Sequence, residues 1–376
     1  PRRYRLKQIT ANAVSSGHPW IFRDKVSKSA DKFADGQWLE LLDPHEKIVG
    51  YGIYLREGGV AIRMLREGPV RPDLEWLHKQ VRKALKKREN LRQETDAYRL
   101  FNGENDGLPG VVLDVYQGYG VLQTYHPAVD SLGRYLAALV YPLAQLKGLL
   151  WKCPQKRIGG PKEAVRLLRG EVPTIVTFRE GPMTLAANLW AGQKSGTFLD
   201  LRGLRRWLSE QALQGQKVLN LFAYTGMAGL ACAQAGAREV LNVDAAQASL
   251  DFGQRYHNAP AQRWLTADIF PWMKNLGPQE KYDLIVVDPP SMASQKDQVL
   301  NALATYKRIY RGLIPHLKPG GKMVACCCTS RISPDQFELA VRESLPALKV
   351  RQRLSMEVDH KPRFAEANYL KVIVLQ

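Results

Sequence analysis

The stretch Lys217-Val-Leu-Asn-Leu-Phe222, running directly into Ala223-Tyr-Thr-Gly-Met-Ala-Gly229, decides how the second half of this chain is read. Its first six residues are an apolar run of strand length, and a helix follows to near Gly236. Between them Gly226 and Gly229 allow a tight turn and let a ligand or the next helix approach the backbone closely. Further apolar runs follow, each separated by a helical stretch. Glu239–Val243 ends in Asp244, Trp264–Ala267 in Asp268, Tyr282–Val287 in Asp288-Pro289-Pro290, and Lys322–Cys327 in Cys328. Strands alternating with helices predict an α/β, Rossmann-like domain with a mainly parallel, doubly wound sheet. Its ligand crevice is expected over the carboxyl ends of the strands.

The residues at those ends suggest the ligand. Asp244 follows the glycine turn by about 20 residues, the spacing at which a carboxylate accepts from ribose hydroxyls. Asp268, after the third strand, is set to accept from an adenine amino group. An adenosine-type ligand follows. A dinucleotide is the competing reading, but the loop lacks G-x-G-x-x-G spacing and offers no pyrophosphate cradle. Two prolines cannot continue a ladder, so Asp288 is left at the crevice rim. Strand alternation puts Cys326 and Cys328 on one face and Cys327 on the other. Cys328, nearest the carboxyl end, is the candidate nucleophile, with Arg331 near enough to help hold a thiolate. Cys326 and Cys327 read as core.

Upstream, residues 1–70 alternate short apolar runs, Trp38–Leu42, Lys47–Tyr54 and Val60–Leu65, with turn signals, which predicts a small β-rich domain. Residues 71–180 read as a second, mixed α+β unit. It begins with a helix after Pro72-Asp73 and contains strands at Gly110–Val115 and Tyr119–Thr124 and a helix at Leu132–Leu143. One face of its first helix carries Lys79, Arg82, Lys83, Lys86, Lys87, Arg88 and Arg92, either solvated or touching phosphate. Lys152, Lys156, Arg157, Lys162, Arg166 and Arg169 read as an exposed basic loop. Residues 181–376 form the third, catalytic part.

The chain has 54 Lys and Arg against 36 Asp and Glu, a net charge of +18 distributed over all three parts. Distributed cations suit a long polyanion, because steering and counterion release both reward them. Five cysteines, three of them consecutive, fit neither a secreted disulfide framework nor zinc-finger spacing, so no metal is expected. With no apolar run long enough to span a bilayer, the expectation is a soluble, cytoplasmic protein.

Asn220-Leu-Phe-Ala-Tyr-Thr-Gly226, Asp244, Asp288-Pro-Pro290 and a cysteine closing the fifth strand resemble the bacterial 23S ribosomal RNA cytosine-C5 methyltransferases of the RlmI-like family. The resemblance covers nearly the whole chain. Gly17-His-Pro-Trp-Ile-Phe22 is similar to that family's amino-terminal PUA domain. Gly107-Leu-Pro-Gly110 with Asp114 is similar to its central domain, and Gly192–Arg202 to the segment that closes over the cofactor. Tyr369-Leu-Lys371 recurs near the end. Departures are Cys326 and Cys327 before the nucleophile, Thr329-Ser-Arg331 after it, and Leu201 where the family often has Gln.

The resemblance implies a PUA-like RNA-binding domain over 1–70, a central RNA-binding or linker domain over 71–180, and a catalytic domain over 181–376 that uses S-adenosyl-L-methionine. The cofactor contacts it implies are Phe198, Asp200, Arg202, Asn220, Phe222, Ala223, Tyr224, Thr225, Gly226, Asp244, Ala245, Ser249, Asn258, Asp268, Ile269 and Asp288. Cys328 would add to cytosine C6, with Asp288 on the N3/N4 edge, and the product would be 5-methylcytidine. The implied partners are 23S ribosomal RNA, free or in a large-subunit assembly intermediate, and a second copy of the chain in a homodimer. The alternatives are an RNA N-methyltransferase needing no cysteine nucleophile, which often carries Asn-Pro-Pro-aromatic where this chain has Asp288-Pro-Pro-Ser291, and a non-catalytic ribosome-assembly factor.

Overall fold

The computed structural model describes residues 1–154, 157 and 164–376. They divide into two compact units. The first comprises Pro1–Arg179, Ala187–Leu199 and Val358–Phe364, and the second Glu180–Ala186, Asp200–Glu357 and Ala365–Gln376. Among the described residues no helix is long and apolar enough to cross a membrane.

In the first unit, strands β1 (Arg2–Arg5), β2 (Trp20–Phe22), β3 (Trp38–Leu42), β4 (Ile48–Tyr54) and β5 (Val60–Glu67) form a sheet in the order β1-β3-β4-β5-β2. Helix α1 (Gln8–Ser15) contributes Ala11 and Val14 to the core that this sheet builds with Leu41, Ile62 and Phe33. The small β-rich domain expected from the sequence is present. Helix α2 (Leu74–Lys87) starts where Asp73 caps it, the carboxylate accepting from the Trp76 amide at 2.8 Å. After the short α3 (Leu91–Glu94) come β6 (Ala97–Asn102), β7 (Val111–Tyr116), β8 (Tyr119–Thr124), α4 (Asp130–Leu143), β9 (Gly148–Lys152) and β10 (Val165–Gly170). These strands make a second sheet in the order β10-β9-β8-β7-β6, and the chain then enters a hairpin of β11 (Ile175–Glu180) and β12 (Met183–Asn188), of which Glu180–Ala186 belong to the second unit.

Two charge readings change in this unit. Arg88 is not on a solvated face. It caps the end of α2, where the chain turns, and its fully buried guanidinium meets Asp106 bidentately at 2.9 and 2.6 Å. Lys87 also pairs with Asp106, at 3.1 Å, leaving Lys79, Arg82, Lys83, Lys86 and Arg92 as the exposed cations. Nor do the cations from Lys152 to Arg169 form one loop. Lys152 is buried at the end of β9, where it donates to the carbonyls of Leu189 and Gly192, and burial pulls its pKa down to about 8. Arg157 bonds Asp130 at 2.7 Å. Arg166 and Arg169 belong to β10, which pairs antiparallel with β9. Lys156 and Lys162 lie outside the described residues.

The second unit holds α5 (Arg202–Ser209), β13 (Lys217–Leu221), α6 (Met227–Gln234), β14 (Glu239–Asp244), α7 (Gln247–Tyr256), β15 (Gln262–Thr266), α8 (Ile269–Lys274), β16 (Tyr282–Val287), α9 (Val299–Leu313), β17 (Leu317–Cys327), α10 (Pro334–Ser344), β18 (Val350–Leu354) and β19 (Lys371–Leu375). Its sheet has seven strands in the order β15-β14-β13-β16-β17-β19-β18. The first five are mutually parallel, and β19 is inserted antiparallel between β17 and β18. This is the mainly parallel, doubly wound sheet the alternation predicts. The run Leu284-Ile-Val-Val287 is almost wholly buried, as a central strand covered on both faces must be. One face packs on α9 and α10 through Tyr306, Tyr310, Leu313, Phe337 and Val341.

Candidate active site

The sheet order brings five successive loops to one edge. The turn after β13 lies between the ends of β14 and β16, its hydrogen-bonded neighbours, with β15 and β17 next outward. Asp244, Asp268, Asp288 and Cys328 are therefore delivered by adjacent strand ends, around the point where the strand order reverses, which is where doubly wound sheets bind ligands.

The turn after β13 is unusual in its backbone. Phe222 and Tyr224 have φ of 58° and 50°, and Gly226 has φ of 70°. Side-chain-bearing residues in the left-handed region cost free energy, and such strain persists where the surroundings over-determine it. Here the surroundings are hydrogen bonds. The Tyr224 amide donates to Asp244 Oδ2 at 2.8 Å, and the Ala246 amide to Oδ1 at 2.8 Å. A Cβ on Gly226 would meet the Trp264 ring at 2.4 Å, and one on Gly229 would meet Asn242 Oδ1 at 2.2 Å, so both glycines are required by close packing.

Beneath the turn runs a buried polar ladder that sequence reasoning missed. Asn220 Nδ2 donates to Asn242 Oδ1 at 2.9 Å, and Asn242 Nδ2 to Gln262 Oε1 at 2.8 Å. Gln262 Nε2 donates to the carbonyl of His257, whose Nδ1 bonds the Thr225 carbonyl at 2.7 Å. Burial lowers the pKa of His257, partly offset by its bonds to Thr225 and Ala186, so the ring is a neutral structural link. Asn220, read as a cofactor contact, is buried and directs its amide into this ladder. The only sequence signal was the recurrence of amide side chains inside three neighbouring strands.

The other expected positions distribute as follows. Ala245 is exposed beside Asp244, and Ser249 lies in the first turn of α7. Asn258 accepts from Trp264 Nε1 at 3.1 Å. Exposed Asp268 caps α8, accepting from the Phe270 amide at 3.0 Å, while Ile269 enters the core. Ala223 and Thr225 are nearly buried. Asp200 accepts from the Tyr369 hydroxyl at 2.6 Å, and buried Arg202 donates to Glu357 at 2.9 Å. Phe198 belongs to the first unit, where the Lys194 ammonium lies 4.5 Å from its ring centroid.

At the other side of the crevice, the Asp288 and Cys328 loops are stitched together. Cys328 Sγ lies 3.7 Å from the Pro289 carbonyl oxygen, and the Met292 amide donates to Thr329 Oγ1 at 3.1 Å. Cys328 is half-buried, whereas Cys326 and Cys327 are fully buried in the strand. Burial, then Asp288 and the adjoining thiols, push the Cys326 thiol well up, which keeps it protonated. The cation beside these thiols is Lys371, not Arg331, which is exposed. Lys371 stands opposite Cys327 in the β17–β19 ladder, and its ammonium donates to the carbonyls of Thr329, Ile332 and Tyr369 at 2.7, 2.8 and 2.7 Å.

The sequence profile of the S-adenosylmethionine-dependent methyltransferases matches residues 132–376, well over half of the chain. The chain belongs to this family. A PUA-like domain profile matches residues 5–67, the region of the first sheet. The "Ribosomal RNA large subunit methyltransferase" of Deinococcus radiodurans is 29% identical, covering 100% of this chain and 97% of that protein. The "Ribosomal RNA large subunit methyltransferase I" of Shewanella amazonensis is also 29% identical, over 99% and 98%. Among solved structures, a protein complexed with SAH superposes with a TM-score of 0.88 over 100% of both chains at 22% identity, a likeness of fold.

The residues present fit the methyltransferase cofactor. Asp244 and Asp268 are acceptors suited to ribose hydroxyls and an adenine amino group, and the glycine turn beside Asp244 keeps the backbone close. The bonds from the Tyr224 and Ala246 amides use one lone pair on each oxygen of Asp244, and a carboxylate oxygen has a second.

Proposed function

We propose that this methyltransferase forms 5-methylcytidine in 23S ribosomal RNA through a covalent adduct on Cys328. The observation that carries the reading is the pairing of a half-buried thiol with the Asp288 loop at adjacent strand ends, joined by the Cys328–Pro289 contact of 3.7 Å. Both full-length relatives bear the name of large-subunit ribosomal RNA methyltransferases, which supports the choice of RNA. The cofactor supplies an electrophilic methyl group.

Cytosine C5 is a poor nucleophile. The Cys328 thiolate forms a bond to C6, and the ring's π-electrons move toward C5 and the N3 side. With the cofactor bound, C5 would take the methyl group as the sulfur–methyl bond breaks and its electron pair stays on that sulfur; a base would then take the C5 proton, and the returning electron pair would break the S–C6 bond and release the Cys328 thiolate. Splitting one hard displacement into these steps is the value of covalent catalysis. Asp288 bonds the N3/N4 edge and, by sharing a proton with that edge once the base is bound, answers the charge that gathers at N3. We assign Asp244 and Asp268 to the adenosine moiety, with Tyr224, Ala245, Ser249 and Asn258 around it, and Asp200 and Arg202 to the segment that covers it. Asn220 and Ile269 act from beneath, as supports.

The target base must leave its stack, at a cost of about a few kcal/mol that contacts to flanking RNA must offset. The division of labour we propose gives residues 1–70 and 71–180 that task. The exposed Lys79, Arg82, Lys83 and Lys86 on α2 are suited to phosphate, which positions the RNA without selecting sequence. The deciding experiment is mass spectrometry of digested ribosomal RNA from cells with and without this protein. Loss of a single 5-methylcytidine is expected. Loss of a methyl group on nitrogen, or no loss, would overturn the reading.

A further inference from the structure

Lys371 is a cation in an uncommon situation. It is 6% exposed, opens β19 between β17 and the edge strand β18, and among the described residues no carboxylate pairs with it. A buried charge is expensive unless its hydrogen-bonding capacity is met. Here it is met by three carbonyl oxygens at 2.7–2.8 Å. A neutral amine has two hydrogens to donate and an ammonium has three, so three acceptors match the charged form. Two of the three, Thr329 and Ile332, belong to the turn that follows Cys328, and the third is on Tyr369, whose hydroxyl reaches Asp200.

We propose that Lys371 is a positioning residue for Cys328: its buried ammonium fixes the turn after the cysteine and supplies the positive charge that favours the thiolate. Carbonyl dipoles orient the ammonium without cancelling its unit charge, so that charge still acts on its neighbours through a poorly screening interior. The coupling is visible from the lysine's side. Burial pulls its pKa below the ordinary value, while Cys327, by charge and hydrogen bonding, and then Cys328, by charge, push it back up. Such coupling is reciprocal, so the ammonium favours ionised sulfur to the same extent.

The other groups around the thiol oppose this or stay neutral. Asp288, at the end of β16, opposes ionisation in this cluster, as its effect on the neighbouring Cys326 thiol shows, and burial keeps Cys326 itself protonated and therefore neutral. Tyr306 and Tyr310, facing from α9, are phenols that burial holds far above their usual pKa and therefore uncharged. Lys371, from β19, is the cation that offsets Asp288. Of the two thiols it reaches, only Cys328 is part-exposed and able to meet a substrate.

The proposal rests on the reading of Cys328 as nucleophile, and its test needs neither RNA nor methyl transfer. Intact protein is alkylated with iodoacetamide from pH 5 to 10, and modification of Cys328 is followed by peptide mass spectrometry. Part-exposed Cys153, whose thiol burial pushes up, serves as the internal reference. In the wild type Cys328 is expected to react with a midpoint below that of Cys153 and below the ordinary thiol value of about 8.5. Lys371→Met is expected to raise the midpoint by about one unit, cutting the rate at pH 7 about tenfold, with cofactor affinity by calorimetry within about twofold. An unchanged midpoint in a folded Lys371→Met protein overturns the proposal. If that variant does not fold, the wild-type profile alone decides, because a Cys328 midpoint at or above the ordinary value also overturns it. A fully active Cys328→Ala would instead refute the nucleophile, whatever the alkylation shows.

Discussion

Asp283 and Asp288 stand at opposite ends of β16, and their surroundings differ in kind. At the amino edge Asp283 accepts from the Lys217 amide and from Lys318 Nζ, both at 2.8 Å, while Lys217 Nζ pairs with Glu239 at 3.2 Å and Glu280 at 3.0 Å. Charges there answer one another directly. At the carboxyl edge Asp244 and Asp268 are held by amide N–H groups, and Lys371 by carbonyls. Peptide dipoles orient a charged group but leave most of its charge to act on something else. The same sheet thus pairs its charges with one another at one edge and holds them by peptide groups at the other.

Breaking the carboxyl edge should show in chemistry. The largest effect is expected from Asp288→Asn, which keeps the shape but cannot supply a proton to the N3 side. Single-turnover methyl transfer should fall about a hundredfold or more, the usual weight of one general acid–base group. A rate within about threefold of wild type would remove Asp288 from the chemistry. Next is Asp244→Asn, which should weaken cofactor binding by about 1.5–3 kcal/mol, roughly ten- to a hundredfold in calorimetry, as a charged acceptor is lost. Unchanged affinity would mean that Asp244 serves only to brace the turn.

Breaking the amino edge should show in stability alone. Asp283→Asn is expected to leave transfer rate and cofactor affinity unchanged and to cost about 1 kcal/mol in denaturant unfolding. The pH dependence sharpens this. Burial by itself would raise the pKa of Asp283, but the bonds from Lys217 and Lys318 hold it below the usual carboxylate range. A carboxyl whose folded pKa lies below its unfolded value near 3.9 contributes fully above that pH and loses the contribution as pH falls through the folded value. The stability gap between wild type and Asp283→Asn should therefore be flat from about pH 5 to 8 and close in acid. A gap that persists at pH 2 would point to packing, not charge.

The same contrast explains what the sequence could reveal. The doubly wound sheet was legible because apolar runs such as Leu284–Val287 and their terminal carboxylates recur in strand-helix order, a pattern set by covering both faces of a sheet. Residues whose role depends on distant partners were not legible. Arg88 follows the spacing of a solvated helix face, yet the chain turns at that residue and directs it onto Asp106. The cations at Arg166 and Arg169 resembled a loop because β10 is an edge strand, where basic side chains are a normal defence against further pairing. Lys371 opens an unremarkable apolar strand, and only the antiparallel insertion of β19 brings it opposite Cys327. The ladder from Asn220 to His257 joins four elements, and no local pattern announces it.

The central claim is that Cys328 forms the bond that activates the base, and Cys328→Ala tests it most directly. With 23S ribosomal RNA as substrate, the variant is expected to bind cofactor with wild-type affinity by calorimetry and to transfer no measurable methyl group, a loss of at least about a thousandfold. Transfer within about tenfold of the wild-type rate would contradict the account, and would move the nucleophile elsewhere or make the reaction nucleophile-free.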